Sequence, residues 1–411
     1  MPQYFSELDL QPTLIAGITE AGFERLTAIQ QRTLPLTLAG RDVAGQAQTG
    51  TGKTAAFLLA LFQRLLTSPP SRHRRRDRPR ALIIAPTREL AVQIHRDAES
   101  LGRQTGLRIV VVYGGTGYER QKEKIAAGAD ILIGTPGRLI DFHKQHLYNL
   151  QAIEVAVLDE ADRMFDLGFI RDIRYLLRRL PPPGERLTML YSATLSYRVM
   201  ELAHEHMNMP ELIRIDPGQI TAASISEQLY FPAIIEKPRL LIGLFRHLNP
   251  ERAMIFVNTR RTAEWLGELL RLNTYPARVL SGDVPQPKRL AYLAAFEGRE
   301  SPILVTTDVA SRGLHIPAVS HVFNYDLPQD AEDYVHRIGR TGRAGASGEA
   351  ISFACENYAF SLPAIESFIG HEIPRVYKHT GMLADIAFPP PSRHRKSRPP
   401  RQGRSRRQPH R

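Results

Sequence analysis

The sequence predicts an α/β protein made of two parallel-sheet domains in tandem, followed by a basic tail. Short apolar runs alternate with helical patterns through the first half, and a similar series begins again in the second half. Only the first series is joined to a glycine-rich phosphate loop. Strands alternating with helices argue a parallel sheet covered on both faces. The 411 residues are enough for two domains with a core each.

Residues 1–30 read as two short helical segments leading to GFERLTAIQ at 22–30. The stretch AQTGTGKT at 47–54 follows, then an apolar run at 55–61. Glycines at 50 and 52 let backbone N–H groups turn toward phosphate oxygens. Lys53 has the length to reach β- and γ-phosphates, and Thr54 offers a hydroxyl to Mg²⁺. The stretch departs from the GxxxxGK[ST] pattern only in having Ala47 at the first glycine.

Residues 71–80 read as a solvated basic loop, and strands are expected at 81–85, 109–113, 131–133, 155–158 and 188–191. Leu90, Ile94 and Leu101 stand at helical spacing after the first of these. The fourth strand ends in three carboxylates, Asp159, Glu160 and Asp162. Acids there face the crevice where open α/β sheets bind ligands, or they begin a helix whose dipole favours them. The phosphate loop about a hundred residues upstream decides between the two: loop and acids together make a nucleoside triphosphatase site.

The pattern loosens near Asp216, Pro217 and Gly218, a candidate linker. Strands are then expected at 253–257, 277–280, 303–306, 319–323 and 349–353, with no second phosphate loop among them. HRIGRTGR at 336–343 puts three arginines on a glycine-broken turn. They cannot all serve a core, because a buried guanidinium needs a paired anion, and a phosphate is the obvious partner. Arginines brought across a cleft could meet charge developing on a γ-phosphoryl group. A helical end through Tyr377 is expected to precede the Pro- and Arg-rich tail from about Pro389.

The net charge of +12 resides in two places. Residues 392–411 hold eight Arg, one Lys and no acid, and residues 71–80 hold six Arg and Asp77, so the rest of the chain is near neutral. Blocks of like charge stay solvated and act as arms on polyanions, RNA above all. One cysteine, Cys355, excludes an internal disulfide and the zinc spacings that need several cysteines, and fits a reducing compartment. The start MPQYFSELDL has no signal-peptide pattern, and no apolar run approaches the roughly 18 residues that span a bilayer. A cytoplasmic protein is expected.

AQTGTGKT, PTREL (86–90), Gly114 and Gly115, TPGR (135–138), DEAD (159–162), SAT (192–194), FVNT (256–259), TDVASRG (307–313) and HRIGRTGR stand in the order found in DEAD-box RNA helicases. The chain resembles that family over roughly residues 5–360. RGLHIPAV at 312–319 has His315 where most members have Asp, and this makes the chain most similar to the branch found in the bacterial RNA degradosome.

The resemblance implies RecA-like domains at 1–215 and 223–380, joined by a linker at 216–222, with an adenine-recognition segment at 5–30 and a disordered basic tail at 381–411. It implies ATP and Mg²⁺ as cofactors. Phe23 would stack on adenine and Gln30 hydrogen-bond its edge, while Ala47, Gln48, Thr49, Gly50, Thr51, Gly52, Lys53 and Thr54 would cradle the phosphates. Thr54 and Asp159 would hold Mg²⁺ through phosphates and water. Glu160 would orient the attacking water, Arg340 and Arg343 would reach the phosphates across the cleft, and Ser192 and Thr194 would couple nucleotide state to closure. Pro86, Thr87, Arg88, Gly115, Thr135, Arg138, Gly282 and Thr307 match positions that grip the RNA sugar–phosphate backbone, a grip that carries no sequence information but distinguishes RNA from DNA.

Departures qualify this. Leu26 and Ala28 replace two prolines usual in the family, Ser281 stands where many members have His, and His315 replaces an Asp that elsewhere contacts the ribose. They imply a slow unaided ATPase that needs a partner, and the partner implied is ribonuclease E within the RNA degradosome, docking on the second domain. The reading is therefore an RNA-stimulated ATP-dependent helicase; the alternatives are an RNA-binding assembly subunit with little independent ATPase and a DNA-directed translocase.

Overall fold

The computed structural model describes residues 2–47, 50–68, 75–115, 117–215, 225–282, 284–298, 300–311, 319–342, 347–377 and 380–390. Gln48, Thr49, His315, Arg343, the expected linker and the basic tail from 391 lie outside them.

Seven strands form the first sheet: β1 (Val43–Gln46), β2 (Ala81–Ile84), β3 (Ile109–Val112), β4 (Ile131–Gly134), β5 (Val155–Leu158), β6 (Leu187–Ser192) and β7 (Glu211–Arg214). Their order is β3-β4-β2-β5-β6-β1-β7, every neighbour parallel. Six more form the second: β8 (Ile225–Tyr230), β9 (Ala253–Phe256), β10 (Ala277–Leu280), β11 (Ile303–Thr306), β12 (His321–Asn324) and β13 (Gly348–Phe353), in the order β10-β11-β9-β12-β13-β8, again all parallel. The two orders superimpose strand for strand once β7 is set aside. The α/β expectation of two parallel-sheet domains therefore holds.

Helices cover both faces because parallel strands need crossovers and bury both sides. In the first half these are α1 (Pro12–Glu20), α2 (Ala28–Leu38), α3 (Lys53–Thr67), α4 (Arg88–Leu101), α5 (Tyr118–Ala126), α6 (Pro136–Lys144), α7 (Ala161–Asp166), α8 (Ile170–Leu177) and α9 (Tyr197–His206). In the second they are α10 (Lys237–Leu248), α11 (Arg260–Leu272), α12 (Gln286–Glu297), α13 (Asp308–Ser311), α14 (Ala331–Ile338) and α15 (Leu362–Ile369). Strands β2, β4 and β5 are buried at every position, as a sheet covered on both faces requires. The apolar run after the phosphate loop becomes the buried core of α3, with Ala55 through Phe62 all inside. Thr87 and Thr259 start α4 and α11 in the same way, each hydroxyl accepting the backbone N–H three residues on, Leu90 at 3.3 Å and Thr262 at 3.1 Å.

Four expectations are corrected. Strands β1, β7 and β8 join the ten read from sequence; VAGQ, ELIR and ISEQLY lack the apolar runs that mark the others, and pairing with a neighbour makes them strands. Arg80 does not belong to a solvated basic loop. It is 2% exposed, pairs with Glu154 at 2.5 and 2.8 Å, and donates to the carbonyls of Leu65 and Ser68. The last helix ends at Ile369, not Tyr377: Gly370 takes a left-handed conformation (φ 79°), and the chain continues extended, Arg375 bridging to Leu229. Residues 380–387, expected in part as the start of a disordered tail at 381, instead strap the second domain, where Asn273 and Ala387 exchange hydrogen bonds of 2.9 and 3.0 Å.

Candidate functional site

The parallel arrangement brings the motifs that follow strands to the C-terminal edge of a sheet, where open α/β folds bind ligands. HRIGRTGR instead runs off the end of α14, and the Arg340 carbonyl accepts the Val319 N–H just before β12 begins. In the first domain, β1 leads to the phosphate loop and β5 to the acids. Strand β6 runs between them and delivers Ser192 to the same edge.

Gly50 and Gly52 have φ of 86° and 90°, so the loop needs residues free to adopt left-handed backbone. A Cβ at Gly52 would also lie 2.5 Å from Gln30 Nε2. Gln30 is buried, accepts the Thr27 N–H through Oε1 at 2.9 Å, and donates through Nε2 to the Gly52 carbonyl at 3.0 Å. It therefore ties the start of α2 to the phosphate loop. Lys53 is 6% exposed and donates to the Ala47 carbonyl at 2.7 Å, which holds its ammonium over the loop; Thr54 follows in the first turn of α3. Phe23 is 43% exposed and stacks on Phe5 at 6.2 Å.

The acids stand at the end of β5 and also at the start of α7, with Glu160 at its N-cap and Asp162 in its first turn. Asp159 is buried and accepts the Glu160 N–H at 3.0 Å. Burial pushes its pKa up to about 7, with Lys53 opposing and Glu160 and Asp162 adding to the shift. Glu160 takes φ 53°, left-handed and rare for a side chain with a Cβ, a kind of strain that gathers at functional sites. Its Oε2 is buried without a hydrogen-bond partner among the described residues. Asp162 turns the other way: its Oδ2 accepts the N–H groups of Ala193 and Thr194, both at 3.0 Å, and its own N–H donates to Ser192 Oγ at 3.1 Å. The acids are thereby wired to the SAT segment.

From the second domain, α14 is capped by Asp330 and ends before Gly339 and Arg340. Arg340 is 4% exposed; burial pushes its pKa down, and the Glu160 carboxylate counters that. Lys53, Glu160, Asp162 and Thr194 line one cavity of about 370 Å³ with His336 and Arg340, so the two domains share it. Arg337 is a correction to the expectation of a phosphate partner. It is 1% exposed, and its anion is Asp308, met at 2.6 Å by both Nε and Nη2, with Asn258 Oδ1 at 2.9 Å and the Asp326 carbonyl at 2.6 Å.

The residues expected along the RNA backbone also lie at strand ends. Pro86, Thr87 and Arg88 follow β2, and Gly115 follows β3 with φ 96°, where an added Cβ would come 2.0 Å from Arg88 Nη1. Thr135 follows β4; Arg138, one turn on, lies over the Tyr118 ring at 4.8 Å and is 3.4 Å from Gln121 Oε1. Gly282 follows β10 and Thr307 follows β11. Sequence reading missed Arg260. It opens α11 as Arg88 opens α4, and a Cβ on Gly282 would lie 3.0 Å from its Nη2, repeating the Gly115–Arg88 contact. The signal was present in the likeness of PTRE and NTRR after equivalent strands. It also missed Glu89 and Arg289, which meet between the domains at 2.6 Å with little exposure.

Among the described residues no cluster of His, Cys, Asp and Glu forms a ready metal cage, and no helix is long and apolar enough to cross a membrane.

Residues 27–202 match the DEAD/DEAH box helicase family and residues 236–345 the helicase conserved C-terminal domain. The chain is 57% identical over 388 residues to the ATP-dependent RNA helicase RhlB of Shigella dysenteriae, covering 94% of this chain and 92% of that one. It is 57% identical over 398 residues to RhlB of Salmonella arizonae, covering 97% and 94%. Among solved structures it is similar to S. cerevisiae Dbp5 bound to RNA and ADP BeF3, with a TM-score of 0.80, 33% identity, and 92% of this chain and 96% of that one covered.

Proposed function

The chain belongs to the DEAD/DEAH box family as an ATP-dependent RNA helicase with two RecA-like domains, and on that premise we propose how its residues divide the work. One observation carries the proposal: Lys53 and Glu160 of the first domain and Arg340 of the second line a single cavity. ATP sits with its phosphates on Ala47 to Thr54, its adenine against Phe23 and the Gln30 segment, and its γ-phosphate between Lys53 and Arg340. Arg343 belongs to the same charge-neutralising set by its place in the motif. Guanidinium groups from one domain meet charge held by the other, so hydrolysis depends on closure.

Mg²⁺ fits the residues present. Asp159 and the unpartnered Glu160 Oε2 are buried acid atoms next to the loop that ends in Thr54, and with no protein cage among the described residues the ion would be held mainly by phosphates and water. Bound there, through Thr54 and the water shell of Asp159, it would supply positive charge to the phosphate oxygens. The Glu160 carboxylate orients the attacking water and takes its proton. Asp162 carries the event to Ser192 and Thr194: its N–H donates to the Ser192 hydroxyl, and its carboxylate accepts the Thr194 N–H.

RNA lies along the strand ends of both domains, on Pro86, Thr87, Arg88, Gly115, Thr135, Arg138, Gly282 and Thr307. Closing two domains on one strand bends it, and a bent strand cannot stay stacked in a duplex. Phosphate and sugar contacts fit an enzyme with weak sequence preference. Ribonuclease E and the RNA degradosome are proposed as partners, and the cytoplasm as the setting, from the resemblance carried by RGLHIPAV at 312–319.

ATP turnover measured without nucleic acid, with single-stranded RNA and with DNA tests the reading. Stimulation by RNA alone is expected. Tight RNA binding without turnover would instead make the chain an assembly subunit, and DNA stimulation a translocase.

A further inference from the structure

Helix α13 is four residues long, Asp308–Ser311, too short to satisfy its own last carbonyls. Two of them are met by arginines. Arg163, the residue directly after the DEAD acids, donates from Nη2 to the Val309 carbonyl at 3.1 Å, across the domain boundary. Arg289 donates to the Ala310 carbonyl and pairs with Glu89 of the first domain. Cations are favoured at a helix C-terminus, where carbonyl dipoles present negative charge. The start of α13 carries other connections: Thr307, expected on RNA, precedes it, and Asp308 holds Arg337, three residues before Arg340.

We infer that Arg163 is a positioning residue for closure, joining the nucleotide edge of the first domain to the RNA-binding segment of the second through the α13 carbonyl end. The inference rests on the helicase reading above and adds to it the element through which nucleotide strengthens RNA binding. Arg163 is 8% exposed with its donor on a backbone carbonyl, so its bond exists only when the domains meet. A bond made only in the closed state shifts the equilibrium toward that state and leaves the affinity of the open state untouched. The same logic makes the effect reciprocal: RNA tightens nucleotide binding by the factor by which nucleotide tightens RNA binding.

The test uses the full chain, a labelled single-stranded RNA and a non-hydrolysable ATP analogue, and compares RNA affinity with and without the analogue. Arg163→Met keeps the aliphatic stem and removes the donors. It is expected to bind RNA as the parent does without nucleotide and to lose about tenfold of the tightening that nucleotide brings, ~1.4 kcal/mol. Arg163→Lys restores part of it, since an ammonium also donates to a carbonyl. Val309→Ala keeps the carbonyl and should tighten as the parent does; its side chain is 66% exposed.

Full tightening in Arg163→Met, equal loss with and without nucleotide, or an equal loss in Val309→Ala would each overturn the inference. A parent chain that shows no nucleotide-linked tightening at all would instead refute the helicase reading on which it rests.

Discussion

Arg337 and Asp308 are joined by two hydrogen bonds of 2.6 Å inside the second domain, so the first arginine of HRIGRTGR is committed to the fold and not to the cleft. Removing one partner of a buried pair strands the other charge, at about 3–5 kcal/mol. Arg337→Ala should therefore lower unfolding stability in urea by about that much. Arg340→Ala, three residues on, should abolish ATP turnover and cost less stability than Arg337→Ala, since Arg340 lines the cavity that the domains share and Arg337 is locked within one of them. A stable, inactive Arg337→Ala would place that side chain on the phosphates after all.

Glu160→Gln should stop ATP turnover while ATP and RNA still bind. The amide cannot take a proton from water, yet Lys53, Thr54 and Asp159 remain to hold the nucleotide. Single-turnover hydrolysis together with filter binding checks both halves, and retained hydrolysis would remove Glu160 from the role of base.

Gly115→Ala should weaken RNA binding about as much as Arg88→Ala, on the order of tenfold. The added Cβ would meet the Arg88 guanidinium at 2.0 Å on a backbone with φ 96°, so the arginine must move. Because both changes act on one contact, the double variant should lose no more than either single. ATP turnover without RNA should persist, since neither residue touches the phosphate loop.

The Glu89–Arg289 pair should behave as a closure contact. Glu89→Arg and Arg289→Glu each place like charges together and should slow unwinding by an order of magnitude or more. Combining them should recover part of the rate in a strand-displacement assay. Recovery will be incomplete, because Arg289 also holds the Ala310 carbonyl and a glutamate cannot. Strictly additive losses would mean that the pair does not act across the cleft.

Deleting residues 392–411 removes nine positive charges. RNA affinity should fall and its dependence on salt flatten, because fewer counterions are released. Turnover at saturating RNA should stay near that of the full chain. An unchanged salt slope would show that the tail does not touch RNA.

Much of this protein was settled along the chain itself. Alternating apolar runs determined two parallel sheets, since each run must be buried on both faces. Spacing within AQTGTGKT and DEAD marked a candidate triphosphate site, and the fold brings Lys53, Glu160 and Asp162 from the two stretches to one cavity. Burial, by contrast, was decided only by tertiary structure. Arg80 went inside to Glu154, Arg337 to Asp308 and Arg340 to the cleft, although all three read alike as cations in basic or glycine-broken stretches. Glu89 and Arg289 carried no local mark of their pairing. What a charged side chain does depends on the anion and the solvent left around it after folding. Both are supplied by residues far away in the sequence, which no local pattern records.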